Sequence, residues 1–152
     1  MSDIAQKLAK IVGENYVSDK KEEAYFYARD PGLMPDHKPD YVILPETAEE
    51  IQEIVRLANK EKIPIVPMGA GLGLTGLVIP LKGGIVIDMK RMNKILEVNE
   101  KARYAIVEGG TPQGFLKSYL EKNYPRVRKS LPVAPPAAKR AANVMIRGQG
   151  RR

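Results

Sequence analysis

Residues 40–76 read DYVILPETAEEIQEIVRLANKEKIPIVPMGAGLGLTG, and the fold turns on them. Tyr41 to Leu44 is a short apolar run that reads as a strand. Thr47 then starts a helix, with Glu50 three residues later to complete a capping box. Ile51, Ile54, Val55 and Ala58 recur at helical spacing and predict its buried stripe. Ile63 to Val66 is the next strand. The result is a β-α-β unit that ends in a loop containing Gly69, Gly71, Gly73 and Gly76. Glycine inside a regular element costs about 0.5–1 kcal/mol relative to alanine, so four of them need a reason.

Outward from this unit the pattern stays legible for most of the chain. Residues 2–13, SDIAQKLAKIVG, read as a short helix with Ile4, Leu8 and Ile11 on one face, Ser2 as cap and Gly13 as stop. EEAYFYARDPG, residues 22–32, reads as an aromatic patch followed by a turn, with Tyr25, Phe26 and Tyr27 as packing surface. After the glycine loop, GGIVIDM, KILEVNE and RYAIVEGG read as three strands, expected to be antiparallel neighbours because their connections are short. Thr111 is placed to cap a helix with Pro112 in its first turn and Phe115, Leu116, Tyr119 and Leu120 on its apolar side. From Asn123 onward the periodicity breaks up. The expected class is α+β, a small mixed sheet with flanking helices, with one subdomain over residues 1–125 and the start of a second over 126–152.

Composition narrows the chemistry. The chain has 152 residues, 43% of them hydrophobic, which suits one packed domain of ordinary size. It has no cysteine and a single histidine, His37, which excludes disulfides, thiolate chemistry and a multi-histidine metal site. No apolar run approaches the ~18 residues of a transmembrane helix. The segment MSDIAQKLAK lacks a signal-peptide core, so a cytoplasmic protein is expected.

The net charge of +7 is unevenly spread. Residues 1–120 carry 16 basic and 17 acidic side chains, whereas residues 121–152 carry nine basic side chains and Glu121 alone. Such asymmetry can mark contact with nucleic acid or a membrane. No aromatic platform accompanies the basic residues, which weighs against nucleic acid and in favour of a solvated end or one facing an anionic cofactor.

The glycine loop admits several chemistries. Gly71, Gly73 and Gly76 match the dinucleotide fingerprint G-x-G-x-x-G, but that motif must open a helix, and Pro80 and Gly83–Gly84 follow instead. A P-loop needs Lys-Ser or Lys-Thr at a fixed offset, and none is present. A bare hairpin connection explains the glycines but not Leu72, Leu74 and Thr75 between them. Leucines at these positions suggest a loop packed against something apolar while its backbone turns to a ligand.

The order of these blocks resembles the FAD-binding domain of the vanillyl-alcohol oxidase type, and within it the branch of glycolate oxidase subunits and D-lactate dehydrogenases. The resemblance covers about residues 38–150 and rests on five blocks in the family's order. It implies a loop that wraps the FAD pyrophosphate through main-chain N–H groups, assigning Pro67, Met68, Gly69, Ala70, Gly71, Leu72, Gly73, Leu74 and Thr75 to the cofactor. Met68 stands where the family commonly has arginine, and Leu72 where it has threonine or serine. Family members with covalent flavin carry a histidine near the Leu72 position, so leucine implies non-covalent FAD. Asp88, Arg91 and Asn93, in the block after the loop, are expected to be structural hydrogen-bonders. The turn VEGG adds Gly110 as a cofactor contact, and the last block adds Asn143, Gly148 and Gly150, although Lys139 and Arg140 depart from the family pattern there. No residue carries a motif for a catalytic base, and no metal is implied. The resemblance implies a flavin-dependent oxidoreductase acting on a 2-hydroxy acid or similar alcohol, with a second subunit or C-terminal half completing the flavin site. The other reading is a non-enzymatic binding module or split subunit that uses its basic tail to contact a partner.

Overall fold

The computed structural model describes residues 1–71 and 75–130. They form two compact units that divide between Arg91 and Met92, inside the stretch read as one subdomain. The expected second subdomain, 126–152, lies mostly outside the described residues.

The first unit holds helix α1 (Asp3–Val12), strand β1 (Val17–Ser18), helix α2 (Lys21–Phe26), strand β2 (Tyr41–Ile43), helix α3 (Ala48–Glu61) and strands β3 (Ile65–Met68) and β4 (Ile85–Asp88). Its four strands make one sheet in the order β1-β2-β4-β3. β1 is antiparallel to β2, whereas β2, β3 and β4 are mutually parallel through β4. Both helix starts read from the sequence in this unit are formed. Ser2 Oγ accepts from the Ala5 N–H at 3.2 Å, and Thr47 Oγ1 from the Glu50 N–H at 3.1 Å. The return bond of the second cap goes one residue earlier than a capping box requires, from the Glu46 N–H to Glu50 Oε2 at 2.7 Å.

β4 corrects the expectation of three antiparallel neighbours. It lies between β2 and β3 and runs parallel to both. The short connection that suggested a hairpin is the one after β4. The connection before it, residues 69–84, is long enough for a crossover, for which a dozen residues suffice. All four residues of β4 are buried, the unbroken apolar pattern of a central parallel strand.

α1 and α3 cover the sheet through Leu8, Ala9, Val12, Ile54 and Ala58, which meet Ile43, Ile85 and Ile87. Val55 does not belong to the buried stripe: it is 37% exposed, and Leu57 packs against the core in its place. The helix phase is therefore rotated slightly from the one read off the sequence. In the aromatic patch, Phe26 is 80% exposed, whereas Tyr27 is half-buried.

The second unit is an antiparallel pair, β5 (Ile95–Asn99) and β6 (Tyr104–Val107), followed by α4 (Gln113–Asn123) and α5 (Pro125–Ser130). Leu116, Leu120 and Val127 make its core with Ile95, Val98, Ala105 and Val107 around them. Phe115, expected on the apolar side of α4, is exposed. Thr111 does not cap α4. Pro112 takes the cap position, and the buried Thr111 hydroxyl donates to the Lys94 carbonyl at 3.2 Å.

The corrected phase of α3 has a measurable consequence. Ile54→Ala empties a fully buried site and is expected to cost about 2–5 kcal/mol, whereas Val55→Ala should cost about 1 kcal/mol or less. Urea unfolding midpoints of the two variants provide the check, and equal losses would refute the observed phase.

Candidate functional site

The three parallel strands end together at Ile43, Met68 and Asp88, and the glycine loop leaves from the end of β3. In open parallel sheets, ligands bind in the crevice beyond the carboxyl ends of the strands. Here that place is a cavity of about 500 Å³ lined by Glu23, Phe26, Tyr27, Arg29, Met68, Ala70, Gly71 and Lys90. The first residues of the loop thus face a polar hollow with two cationic side chains and one carboxylate on its wall.

Of the residues assigned from the sequence, Pro67 is exposed on β3, Met68 is buried, and Gly69, Ala70 and Gly71 are half-buried at the start of the loop. Gly71 has φ +69°, a conformation side-chain-bearing residues rarely adopt, and a Cβ there would stand 3.3 Å from Met68 Sδ. The backbone can therefore turn tightly and remain open to a close approach. Thr75 is exposed and lines a second, mainly apolar hollow with Pro31, Gly32, Leu33 and Met34. Leu72, Gly73, Leu74, Asn143, Gly148 and Gly150 lie outside the described residues. Gly110 belongs to the second unit, is buried, and has its N–H taken by the Met92 carbonyl at 2.7 Å.

The floor of the cavity is organised by Asp88, which is fully buried at the end of β4 opposite Met68. Its Oδ2 accepts from the Tyr27 hydroxyl at 2.9 Å and from Lys90 Nζ at 2.7 Å, and its Oδ1 from the Lys90 N–H at 3.0 Å. A buried carboxylate is tolerated when it is paired and hydrogen-bonded, and Asp88 meets both conditions. Arg29 bridges to Asp36 at 2.6 Å. Nearby, Arg91 donates to the Leu44 carbonyl at 2.8 Å, pairs with Glu46 and covers the Tyr16 ring. Asp88 and Arg91, two of the three residues expected to be structural hydrogen-bonders, each make hydrogen bonds within the fold. Among the described residues, no group of three His, Cys, Asp or Glu side chains could hold a metal, and no helix is long and apolar enough to cross a membrane.

Sequence reasoning missed Asp30, Arg29, Tyr27 and Lys90 as neighbours of the loop. Asp30 carried a local signal, because Asp-Pro-Gly is turn chemistry. The others come to the loop through contacts distant in sequence, such as the Tyr27–Asp88 bond across 61 residues.

Comparison with known proteins follows this geometry. Residues 39–127 match the family described as FAD binding domain. An uncharacterized FAD-linked oxidoreductase of Mycobacterium tuberculosis is 34% identical over 111 residues, spanning 72% of this chain and 24% of that protein. The glycolate oxidase subunit of Bacillus subtilis is 33% identical over 108 residues, 71% of this chain and 23% of its own length. Among solved structures, p-cresol methylhydroxylase with substrate bound superposes with a TM-score of 0.72 at 28% identity, covering 78% of this chain and 24% of the other. The chain therefore spans about a quarter of the length of these relatives.

The environment of Asp88 makes a pH prediction. Burial, then the Asp88 charge and hydrogen bond, push the Tyr27 phenol well above its ordinary value. Folding thus favours the neutral phenol. The stability this contributes is complete below the unfolded value of about 10 and is lost as pH rises through the higher folded value. The phenolate difference spectrum between the native chain and Tyr27→Phe should stay flat to about pH 11. In an Asp88→Asn background the Tyr27 signal should appear at lower pH, and an unchanged titration would refute the coupling.

Proposed function

The chain belongs to the FAD binding domain family, and on that footing we propose that it is the pyrophosphate-holding part of a flavin-dependent oxidoreductase acting on a 2-hydroxy acid or a similar alcohol. One observation carries the reading. The glycine loop starts at the carboxyl ends of three parallel strands and borders a cavity with Arg29 and Lys90 on its wall. Main-chain N–H groups, together with those two cations, suit a ligand with two phosphates. Gly71, at positive φ, fits a backbone-lined cradle that needs no metal.

In this reading Pro67, Met68, Gly69, Ala70, Gly71, Leu72, Gly73, Leu74 and Thr75 wrap the pyrophosphate, with Gly110, Asn143, Gly148 and Gly150 as further contacts. FAD, when bound, supplies the ring that accepts a hydride from the alcohol carbon. The residues of this chain bind and orient it. Leucine at position 72 offers no nucleophile, so the flavin is held non-covalently. The hydroxy-acid substrate class is supported by the likeness to the glycolate oxidase subunit.

A second polypeptide, or a C-terminal half, completes the flavin site. Two observations support this. The chain spans about a quarter of its relatives, and Phe26, Leu33 and Leu77 are exposed at 80%, 103% and 62%. The reading of a non-enzymatic module with a basic tail rests on the charge of residues 121–152.

Flavin titration of the purified chain tests the proposal. Fluorescence quenching should report saturable FAD binding. Gly71→Val, which adds a branched side chain at positive φ beside Met68, should weaken it by at least about a hundredfold while circular dichroism stays unchanged. Equal affinity in the variant would remove the pyrophosphate assignment. Acid precipitation of the loaded protein should release all flavin to the supernatant, and yellow colour retained in the washed pellet would refute non-covalent binding.

A further inference from the structure

Asp30 is a buried carboxylate, 8% exposed, that the cavity does not use. Both its oxygens are occupied by backbone amides. Oδ1 accepts from the Gly32 N–H at 2.8 Å, closing its own turn, and Oδ2 accepts from the Gly76 N–H at 2.8 Å, 46 residues away. Gly76 has φ +73°, and a Cβ on it would come within 2.9 Å of Met34 Cγ. The returning end of the glycine loop is therefore held to the 30–34 turn by a charge-assisted bond, at a residue whose positive φ disfavours any side chain.

We infer that Asp30 is a positioning residue for the connection from β3 to β4: it pins Gly76 to the 30–34 turn and so fixes that point of the returning backbone before any ligand arrives. The inference rests on the proposal that this loop holds the FAD pyrophosphate. The connection from β3 to β4 spans residues 69–84. Left free, it would pay its ordering entropy when the ligand bound, and fixing it beforehand removes that cost. Aspartate is the suitable residue because it presents two acceptors to two N–H groups. Asparagine offers one acceptor and turns an N–H₂ toward the other amide. Glutamate is a methylene too long for its own turn.

A competing effect gives the inference a definite sign. A carboxylate near an anion site repels the anion, so its removal would tighten binding if charge dominated. If positioning dominates, removal weakens binding.

The test uses the full 152-residue chain as wild type, Asp30→Asn, Gly76→Ala, the double variant, and Asp3→Asn as a charge-matched control on an exposed side chain. Amide exchange at Gly76 and Gly32 and the Kd for FAD are measured, with circular dichroism to report the fold. Asp30→Asn should exchange both amides about tenfold faster and weaken FAD by about tenfold, the effect of one lost charge-assisted bond. Gly76→Ala breaks the same pin from the other side, so it keeps the test decisive if Asp30→Asn folds poorly, and the double variant should bind no worse than the weaker single. Asp3→Asn should match wild type. Tighter or unchanged FAD binding in Asp30→Asn, or losses that add in the double variant, overturn the inference. A wild-type chain that protects the Gly76 amide through Asp30 yet takes up no FAD supports the pin and overturns the functional reading alone.

Discussion

A strand hydrogen-bonded on both sides and parallel to both neighbours cannot be reached by a hairpin. β4 is such a strand, and its position between β2 and β3 is the constraint on which the first unit depends. The chain leaving β3 at Met68 must travel back to the other end of the sheet before it can enter β4 at Ile85. Most parallel crossovers spend that path on a helix. Here it is spent on sixteen residues that include the glycine loop. Burial of all four residues of β4 holds the arrangement.

Two buried carboxylates then divide the work at the carboxyl end of the sheet. Asp88, on β4, gathers Tyr27 and Lys90 into the cavity floor. Asp30, on the loop before β2, gathers two backbone amides. Neither is left unpaired, as burial of a charge requires. They come from distant parts of the chain and meet the glycine loop at opposite ends, Asp88 beside Met68 and Asp30 at Gly76. The loop is thus bracketed by polar anchors rather than by apolar packing alone.

How much of this was legible in the sequence follows from the range of the interactions involved. The helix starts at Ser2 and Thr47 are local, set by side chains bonding amides three residues on, and both were readable. The glycine loop was readable because glycine density is a local property, and its order relative to the flanking strands carried the family resemblance. The pairing of β4 was misread because strand partners are chosen across the sheet. The short turn after β4 was weighed, and the long connection before it was not. The unbroken run Ile85-Val86-Ile87, buried on both faces, was the available signal. Thr111 was assigned the role its residue type favours, yet its hydroxyl bonds the Lys94 carbonyl seventeen residues away, a partner no local pattern reveals. The Asp30–Gly76 bond is longer in range still. Its local half, the turn to Gly32, was visible, and its functional half was not.

The residues that depart from the family pattern give these anchors added weight. Where an arginine is common, the chain has Met68, whose side chain is buried and packs beneath Gly71. Where a hydroxyl is common, it has leucine at position 72. Two side-chain donors to an anion are thereby absent. The cations on the cavity wall, Arg29 and Lys90, are each paired with a carboxylate, Asp36 and Asp88. Any attraction they offer a phosphate is reduced by those partners and further screened by salt. On the proposed reading, the main-chain amides then supply most of the recognition. Amides act as a set only when the backbone holds them in one curve, because each contributes little alone and misaligned donors contribute less. In a loop with fewer side-chain contacts to its ligand, geometry fixed in advance counts for more. With methionine and leucine at these two positions, a ligand held as proposed would depend more heavily on what fixes the backbone beforehand, and the bond from the Gly76 N–H to Asp30 is one such constraint.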